Sequence, residues 1–457
     1  MKDDLSGAAG RPSPTSARTP TPTPTTHADS ALDVAPSAEM TDLILYTNIP
    51  FCTSKCHFCL WVAQAEPAML TRNRDRFKQY TQAVLREQRQ WASRLSNLPV
   101  QVKCIYFGGG TPSIVDAEDL APLVQTLLTD FRHGPDFETA TIECSPQTLS
   151  FEKLRDLRAI GFDRISMGVQ SFDDERLRRQ ARAHTGKQAI DAYEFARAAG
   201  FENINLDLIV GLPEESFEEW QVNLRHAVEL QPDHLSIYIY KPFPGTTDMR
   251  LIQAGKLALP SPDDTIRRFR WTEDLLARHG YEHYQHQLFT RNGKVCNSDS
   301  GYFNLTRDWI GFGAGAHSLF QQDIWNHPNR IHEYIGDPLS TPLRSPIRRF
   351  PDHLWGSAWQ ALHTRRGIHF ATWERRFGAT FHETRAASHT IDHELREMED
   401  RGFLNEDAEG IRIRDWDSLT LLSCERQTRL ISEGSLMPTT DPLLLARDAA
   451  LASAGHA

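Results

Sequence analysis

Three cysteines within eight residues, Cys52-Thr-Ser-Lys-Cys56-His-Phe-Cys59, are the stretch of this sequence best equipped for chemistry. Thiolates in the spacing Cys-x3-Cys-x2-Cys suit an iron–sulfur cluster, which usually takes four Cys ligands. Only three come from this loop; Cys104 and Cys144, next in the chain, stand alone in strand-like segments. A cubane held by three thiolates leaves one iron open to a small molecule. That is the condition for reductive cleavage of S-adenosylmethionine (SAM), one of the routes to radical chemistry. The alternative is a structural zinc site built from the three Cys and His57. Zinc sites more often separate two Cys-x2-4-Cys or His-x3-5-His pairs, and here His57 is wedged between two candidate ligands.

Further candidates follow at regular intervals. Gly108-Gly109-Gly110-Thr111-Pro112 closes a strand-like run, and glycine lets backbone N–H and C=O groups approach a ligand such as the amino acid end of SAM. Glu143 closes the next run, where a carboxylate can bind an ammonium or ribose hydroxyls; Gln170 closes the one after. Arg182, in Ala181-Arg-Ala-His184, can form a fork to a carboxylate. Asp207 sits in an otherwise apolar run, where a carboxylate is costly unless partnered. Taken singly, each is equally readable as a strand-end polar group or a solvated charge. Their placement after successive strands is what makes a site. Cys104, Cys144, Cys296 and Cys424 lack partner spacing and read as small buried apolar residues.

The elements that must hold these residues alternate. Strand-like runs at Leu43–Thr47, Val102–Phe107, Thr139–Glu143, Arg164–Val169, Asn203–Val210, His234–Tyr240 and Tyr281–Leu288 are separated by helix-like ones. The helices are expected at Arg72–Leu95, Ala117–Thr129, Phe151–Ala159, Gly186–Ala199, Phe217–Leu230 and Thr265–His279. Such alternation predicts an α/β fold with parallel strands, either an α/β barrel or partial barrel, or a doubly wound sheet. Past about residue 345 the rhythm changes to helices around His353–Thr364, Phe370–Phe377 and Thr390–Arg401, then a short hairpin around Phe403–Ile413. That order predicts a small winged-helix-like α+β domain over 345–432, after a barrel domain over 40–340. Residues 1–39, rich in Pro, Thr and Ser, read as a disordered tail and 433–457 as a flexible one.

The chain of 457 residues has a net charge of −10, which provides no electrostatic footprint for nucleic acid. No run of about 18 apolar residues predicts a membrane span, and no apolar leader follows the initial Met. Seven widely spread cysteines make no disulfide framework, and thiolates for iron suit a reducing cytoplasm.

The chain resembles the radical SAM superfamily, whose cluster loop is Cys-x3-Cys-x2-Cys, and within it the oxygen-independent coproporphyrinogen III oxidase-like family. The matching stretches include Tyr46–Cys52, Gly108–Ser113, Arg164–Phe172, Ala181–His184, Asp207–Pro213, Pro244–Thr246 and Gly311–Ser318. The resemblance implies a partial (β/α)6 barrel and a [4Fe-4S] cluster on Cys52, Cys56 and Cys59. It places Tyr46, Gly109, Gly110, Thr111, Glu143, Gln170, Arg182, Asp207 and Ile209 at positions that contact SAM. A reducing partner such as flavodoxin or ferredoxin is implied, together with a small-molecule substrate.

The family divides into branches. Coproporphyrinogen dehydrogenases carry a further Cys where Trp61 stands and an ordered N-terminal substrate region. Heme chaperones usually have His where Asn48 stands, and a His-Asn-x-x-Tyr-Trp motif where this chain reads Ser298-Asp-Ser-Gly-Tyr-Phe303. Class C methyltransferases resemble the dehydrogenase but hold two SAM molecules, and methylate or cyclopropanate an sp2 carbon. By elimination the resemblance points to this third branch, with Asp299, Tyr302 and His317 lining the second SAM and substrate, and Trp61 shielding the cluster.

Overall fold

Six apolar runs, each followed by an amphipathic one, become six strand–helix units. The computed structural model describes residues 40–59, 64–65, 74–321, 323–339, 345–346 and 354–433. Strands β1 (Thr41–Ile49), β2 (Val100–Gly109), β3 (Thr139–Cys144), β4 (Arg164–Gln170), β5 (Ile204–Val210) and β6 (His234–Ile239) lie side by side in chain order, all parallel. The crossovers carry α1 (Arg74–Leu95), α2 (Ala117–Thr129), α3 (Phe151–Ala159), α4 (Asp174–Arg179) with α5 (Gly186–Ala198), and α6 (Phe217–Glu229). Ser150, Thr185 and Ser216 start three of these helices by accepting backbone N–H groups, the last two in reciprocal pairs with Gln188 and Glu219. Strand order that follows chain order, without the reversal of a doubly wound sheet, is barrel winding.

Beyond β6, α7 (Thr247–Gln253) and α8 (Pro262–Arg278) lead into two antiparallel strands, β7 (Glu282–Gln285) and β8 (Leu288–Thr290). The run Tyr281–Leu288, expected as one strand, is therefore broken. Gln287 takes φ 70 at the reversal, its carbonyl accepting from Ile237 N–H at 2.7 Å and its side-chain oxygen from Ile239 N–H at 3.0 Å. Tertiary hydrogen bonds override the local pattern there. A short helix α9 (Asn297–Phe303) precedes β9 (Asp308–Phe312), which pairs parallel to β1. β10 (His317–Phe320), β11 (Asp323–Asn326), α10 (Ile331–Gly336) and β12 (Ser345–Pro346) follow. The sheet runs β12–β11–β10–β9–β1–β2–β3–β4–β5–β6–β8–β7, an open barrel among the described residues.

Successive side chains of a strand point to opposite faces. Leu43, Leu45, Phe107, Ile142, Met167, Leu206 and Leu235 are fully buried against helix residues such as Leu120, Leu154 and Leu224. Each such side chain contributes about 1.5–3 kcal/mol by leaving water. The alternate positions face the lumen: Tyr46, Tyr106, Glu143, Ser166, Asp207 and Tyr238. They are less covered, and Tyr238, on a central strand, is 42% exposed.

The C-terminal elements are α11 (Leu354–Leu362), β13 (Ile368–His369), α12 (Phe370–Phe377), α13 (Phe381–Ala387), α14 (His389–Asp400), the hairpin β14 (Leu404–Glu406) and β15 (Gly410–Ile413), and α15 (Trp416–Glu433). The hairpin pairs back onto β13 in the order β13–β15–β14, a winged-helix arrangement. Its core of Trp355, Trp373, Phe381, Ile391, Leu395 and Ile411 continues into Leu305 and Leu319 beside the barrel. α14 carries Asp392, Glu394, Glu397 and Glu399 in ion pairs with arginines, a face unsuited to a phosphate backbone. No described helix is long and apolar enough to cross a membrane. Both expected tails, up to residue 39 and from 434, and Trp61 lie outside the described residues.

Candidate active site

The cysteine loop leaves the C-terminal end of β1 and is fastened across the barrel mouth. Ser54 Oγ donates to Ala181 O at 3.1 Å, His57 N–H to Gln180 O at 3.2 Å, and Asp248 N–H to His57 O at 3.3 Å. Phe58 packs in an apolar cluster with Ile209, Leu212 and Tyr240. The His57 ring lies 4.0 Å from the buried Asp248 carboxylate, which also accepts from Tyr240 OH at 2.5 Å.

The glycine turn closes against the same loop. Gly110 N–H donates to Ile49 O at 3.0 Å, Thr111 N–H to Phe51 O at 2.8 Å, and Gly109 N–H to Glu143 Oε2 at 3.0 Å. The expectation that this turn presents free N–H groups is thus corrected: all three are engaged, and carbonyl oxygens are what it has to offer. Glycine is required for two reasons. Gly109 has φ 108, with Asn48 Oδ1 only 1.8 Å from where a Cβ would stand; at Gly110 a Cβ would meet Phe51 O at 2.5 Å. Thr111 Oγ1 lies 3.5 Å from Cys52 Sγ.

Glu143, Gln170, Arg182 and Asp207 converge from β3, β4, the turn after α4, and β5. Tyr106 OH donates to Glu143 Oε1 at 2.9 Å. Burial, reinforced by the Asp207 and Asp299 carboxylates, pushes the Glu143 carboxyl up to about 8 in spite of its hydrogen bonds. Gln170 sits at a register shift of β4 with φ 66, a backbone state costly for a non-glycine residue. Arg182 Nη1 donates to Cys56 Sγ at 3.4 Å and Nη2 to Ser145 Oγ at 3.1 Å and to Gly168 O. His184 is different: its Nε2 meets Val169 O at 3.0 Å, and burial lowers it to about 3, a neutral structural imidazole.

On the other side of the lumen an aromatic wall runs along β2, β1 and β9. Tyr106 stacks on Tyr46 at 5.9 Å, Tyr46 on Trp309 at 5.2 Å, and Trp309 on His317 at 5.9 Å. Tyr302 OH lies 3.0 Å from His317 Nε2 and accepts from Gln360 Nε2, on α11, at 3.0 Å. The amide nitrogen can only donate, so Tyr302 is the acceptor in that bond; its bond to His317 runs in either direction with the imidazole tautomer. Burial lowers His317 to about 4, which keeps it neutral. Asp299, in the first turn of α9, is raised by burial despite the nearby Arg164 charge.

Residues 47–227 match the Radical SAM superfamily. Heme chaperone HemW of Escherichia coli is 34% identical over 283 residues, 61% of this chain and 70% of the relative. HemW of Haemophilus influenzae is 32% identical over 284 residues, with 61% and 70% covered. The chain belongs to the radical SAM superfamily, in its coproporphyrinogen III oxidase-like family. The structure of E. coli coproporphyrinogen III oxidase (HemN), described as a radical SAM enzyme, superimposes with a TM-score of 0.67. It covers 84% of this chain and 90% of that one at 24% identity, a likeness of fold.

Membership of the radical SAM superfamily brings a [4Fe-4S] cluster and SAM as cofactors. The residues present fit both. Gln170 Oε1 and Arg182 Nε are buried without a hydrogen-bond partner, and both flank the mouth where the cysteine loop lies. Among the described residues no three Cys, His, Asp or Glu groups are gathered around one metal ion; a cubane instead takes each thiolate at a separate iron. Several residues in and beside the lumen of this radical SAM protein escaped the sequence reading: Arg164, Asn205, His234, Tyr284, Trp309 and, from α11, Gln360. Period-two polar positions were the available signal, with Arg164 and Ser166, Asn205 and Asp207, and His234 and Ser236 each two apart in apolar strands.

Proposed function

We propose that this chain is a class C-type radical SAM C-methyltransferase acting on a planar, unsaturated natural-product intermediate in the cytoplasm. In this reading the barrel, residues 40–340, holds SAM, and residues 345–432 close the substrate side. Cys52, Cys56 and Cys59 hold the cluster. Held there and reduced by one electron from a flavodoxin- or ferredoxin-like partner, the cluster would supply reductive cleavage of SAM to methionine and a 5′-deoxyadenosyl radical. Arg182 forks to the methionyl carboxylate, Glu143 and turn carbonyls take the ammonium, and Gln170 and Asp207 take the ribose hydroxyls. Tyr46, Gly109, Gly110, Thr111 and Ile209 shape the same pocket.

One observation carries the methyl-transfer reading. The lumen has two polar sets: Glu143, Gln170, Arg182 and Asp207, with Asp299 close to the carboxylates, and the Tyr302–His317 pair packed on Trp309 of the aromatic wall. That arrangement suits a second SAM and a flat substrate beside the first. In this reading neutral His317, 3.0 Å from the Tyr302 phenol, is the proton-transfer group of the site. Asn48 stands where a chaperone has His, and its amide is locked between Tyr46 OH, 3.2 Å away, and Ala314 O.

The test uses anaerobically reconstituted protein, a strong reductant, candidate substrates and SAM with a trideuterated methyl group. Methyl transfer predicts deuterium in the 5′-deoxyadenosine, read by mass. Unlabelled deoxyadenosine under substrate-stimulated turnover contradicts it and favours abstraction from substrate, as in a coproporphyrinogen III dehydrogenase. A second reading, heme binding, is favoured by the names of the relatives. Stoichiometric heme uptake on titration, with little deoxyadenosine formed, selects it.

A further inference from the structure

Asp207 is the end point of a hydrogen-bond chain that crosses the floor of the barrel. Asn205 Nδ2 donates to Asp207 Oδ1 at 2.7 Å and to Ser166 Oγ at 2.8 Å, which uses both amide hydrogens. Ser166 Oγ lies 3.4 Å from Asp207 Oδ2 and donates to it. Asn205 Oδ1 accepts from Ser236 Oγ at 3.1 Å and faces His234 Nδ1 at 2.6 Å. An amide oxygen only accepts, so the His234 proton is on Nδ1. Its bare Nε2 then accepts from Tyr284 OH at 2.8 Å, and the Tyr284 oxygen accepts from Cys296 N–H at 3.1 Å. Every donor in the chain points toward the Asp207 carboxylate.

The chain is buried: His234 is 0% exposed, Asn205 1%, Ser236 3% and Ser166 5%. Buried polar networks of this kind act through full satisfaction of their members, because one lost partner leaves an unpaired group in a medium that cannot solvate it. Arg164, 2% exposed on the same face of β4, provides the nearby positive charge, and together with burial it keeps His234 neutral. A protonated His234 would turn a second N–H toward Tyr284 and reverse the last link. The far end is fixed at Cys296, the residue that caps α9, so the helix bearing Asp299 and Tyr302 is tied to the carboxylate across the lumen.

We infer that Asn205, His234 and Tyr284 are positioning residues that hold the Asp207 carboxylate in one orientation for the ribose hydroxyls of SAM. This rests on the reading of Asp207 as a SAM contact. In this inference the three act through Asp207.

The test measures the dissociation constant of SAM by equilibrium dialysis on reconstituted full-length protein, and the deoxyadenosine rate at saturating SAM. His234→Leu removes the donor to Asn205 and is expected to weaken SAM binding about tenfold while largely sparing the saturated rate. His234→Asn, which restores an N–H near the Nδ1 position, is expected to recover most of that loss. A leucine variant with wild-type thermal stability and unchanged SAM affinity would overturn the inference, provided Asp207→Asn weakens binding. Unchanged affinity in Asp207→Asn itself would overturn the SAM-contact reading, and this inference with it. Should the leucine variant not fold, Tyr284→Phe carries the test by removing only the distal oxygen; about threefold weaker binding supports the chain, and no change overturns it.

Discussion

Glu143 shows how much one buried carboxyl is asked to do. It caps the glycine turn through Gly109 N–H, accepts from Tyr106, and shares the lumen with Asp207 and Asp299. Its folded value of about 8 lies above its ordinary 4.5, so the folded state holds a proton that the unfolded state has released across that window. Stability of the ligand-free protein therefore falls as pH rises from 4.5 to about 8. Glu143→Gln is expected to flatten that slope, checked by urea unfolding at stepped pH; an unchanged slope contradicts the assignment. The same variant is expected to weaken SAM binding by roughly ten- to a hundredfold, since a bound ammonium favours the ionised carboxylate and a glutamine has no charge to offer it. The cysteine spacing was legible at this scale because ligand identity is written in the residue itself. Arg164 and His234 were not, because their meaning depends on which face of a strand they occupy.

At the scale of elements, the strand–helix units were readable wherever burial and local propensity agree. α2, α3 and α12 match their expected limits, and β1 to β6 differ by a residue or two at their ends. The run Tyr281–Leu288 failed because Gln287 supplies a reversal that depends on bonds to a neighbouring strand. β9 to β11 were missed for a related reason: strands of four or five residues carry little period-two signal of their own. The turn after β2 is the element that joins cluster loop and SAM pocket, and its tolerance is narrow. Gly109→Ala puts a methyl group into Asn48 at a φ of 108. We expect a loss of about 2 kcal/mol or more in urea unfolding, with SAM affinity lowered in the fraction that folds. A variant as stable as the parent would contradict the close packing described here.

For the whole molecule, the order of strands decides the class. Alternation alone suited a doubly wound sheet as well as a barrel; pairing in chain order from β1 to β6 selects the barrel, whose C-terminal strand ends hold the candidate site. The winged-helix-like arrangement was legible from helices followed by a hairpin, but its link to the site was not. Gln360 reaches Tyr302 from α11, a contact between residues far apart in sequence that no local pattern encodes. The shared core with Leu305 and Leu319 packs this part against the barrel, and the ion-paired acidic α14 is unsuited to a phosphate backbone. The central claim, that a three-thiolate loop leaves one iron for SAM at the mouth of this lumen, has a direct spectroscopic test. Electron paramagnetic resonance of the anaerobically reconstituted, reduced protein is recorded with and without SAM. The account predicts a [4Fe-4S] signal whose g-values shift when SAM is added, and loss of that cluster on replacing Cys56 with Ala. A four-iron signal indifferent to saturating SAM, or a cluster that survives without Cys56, would contradict it.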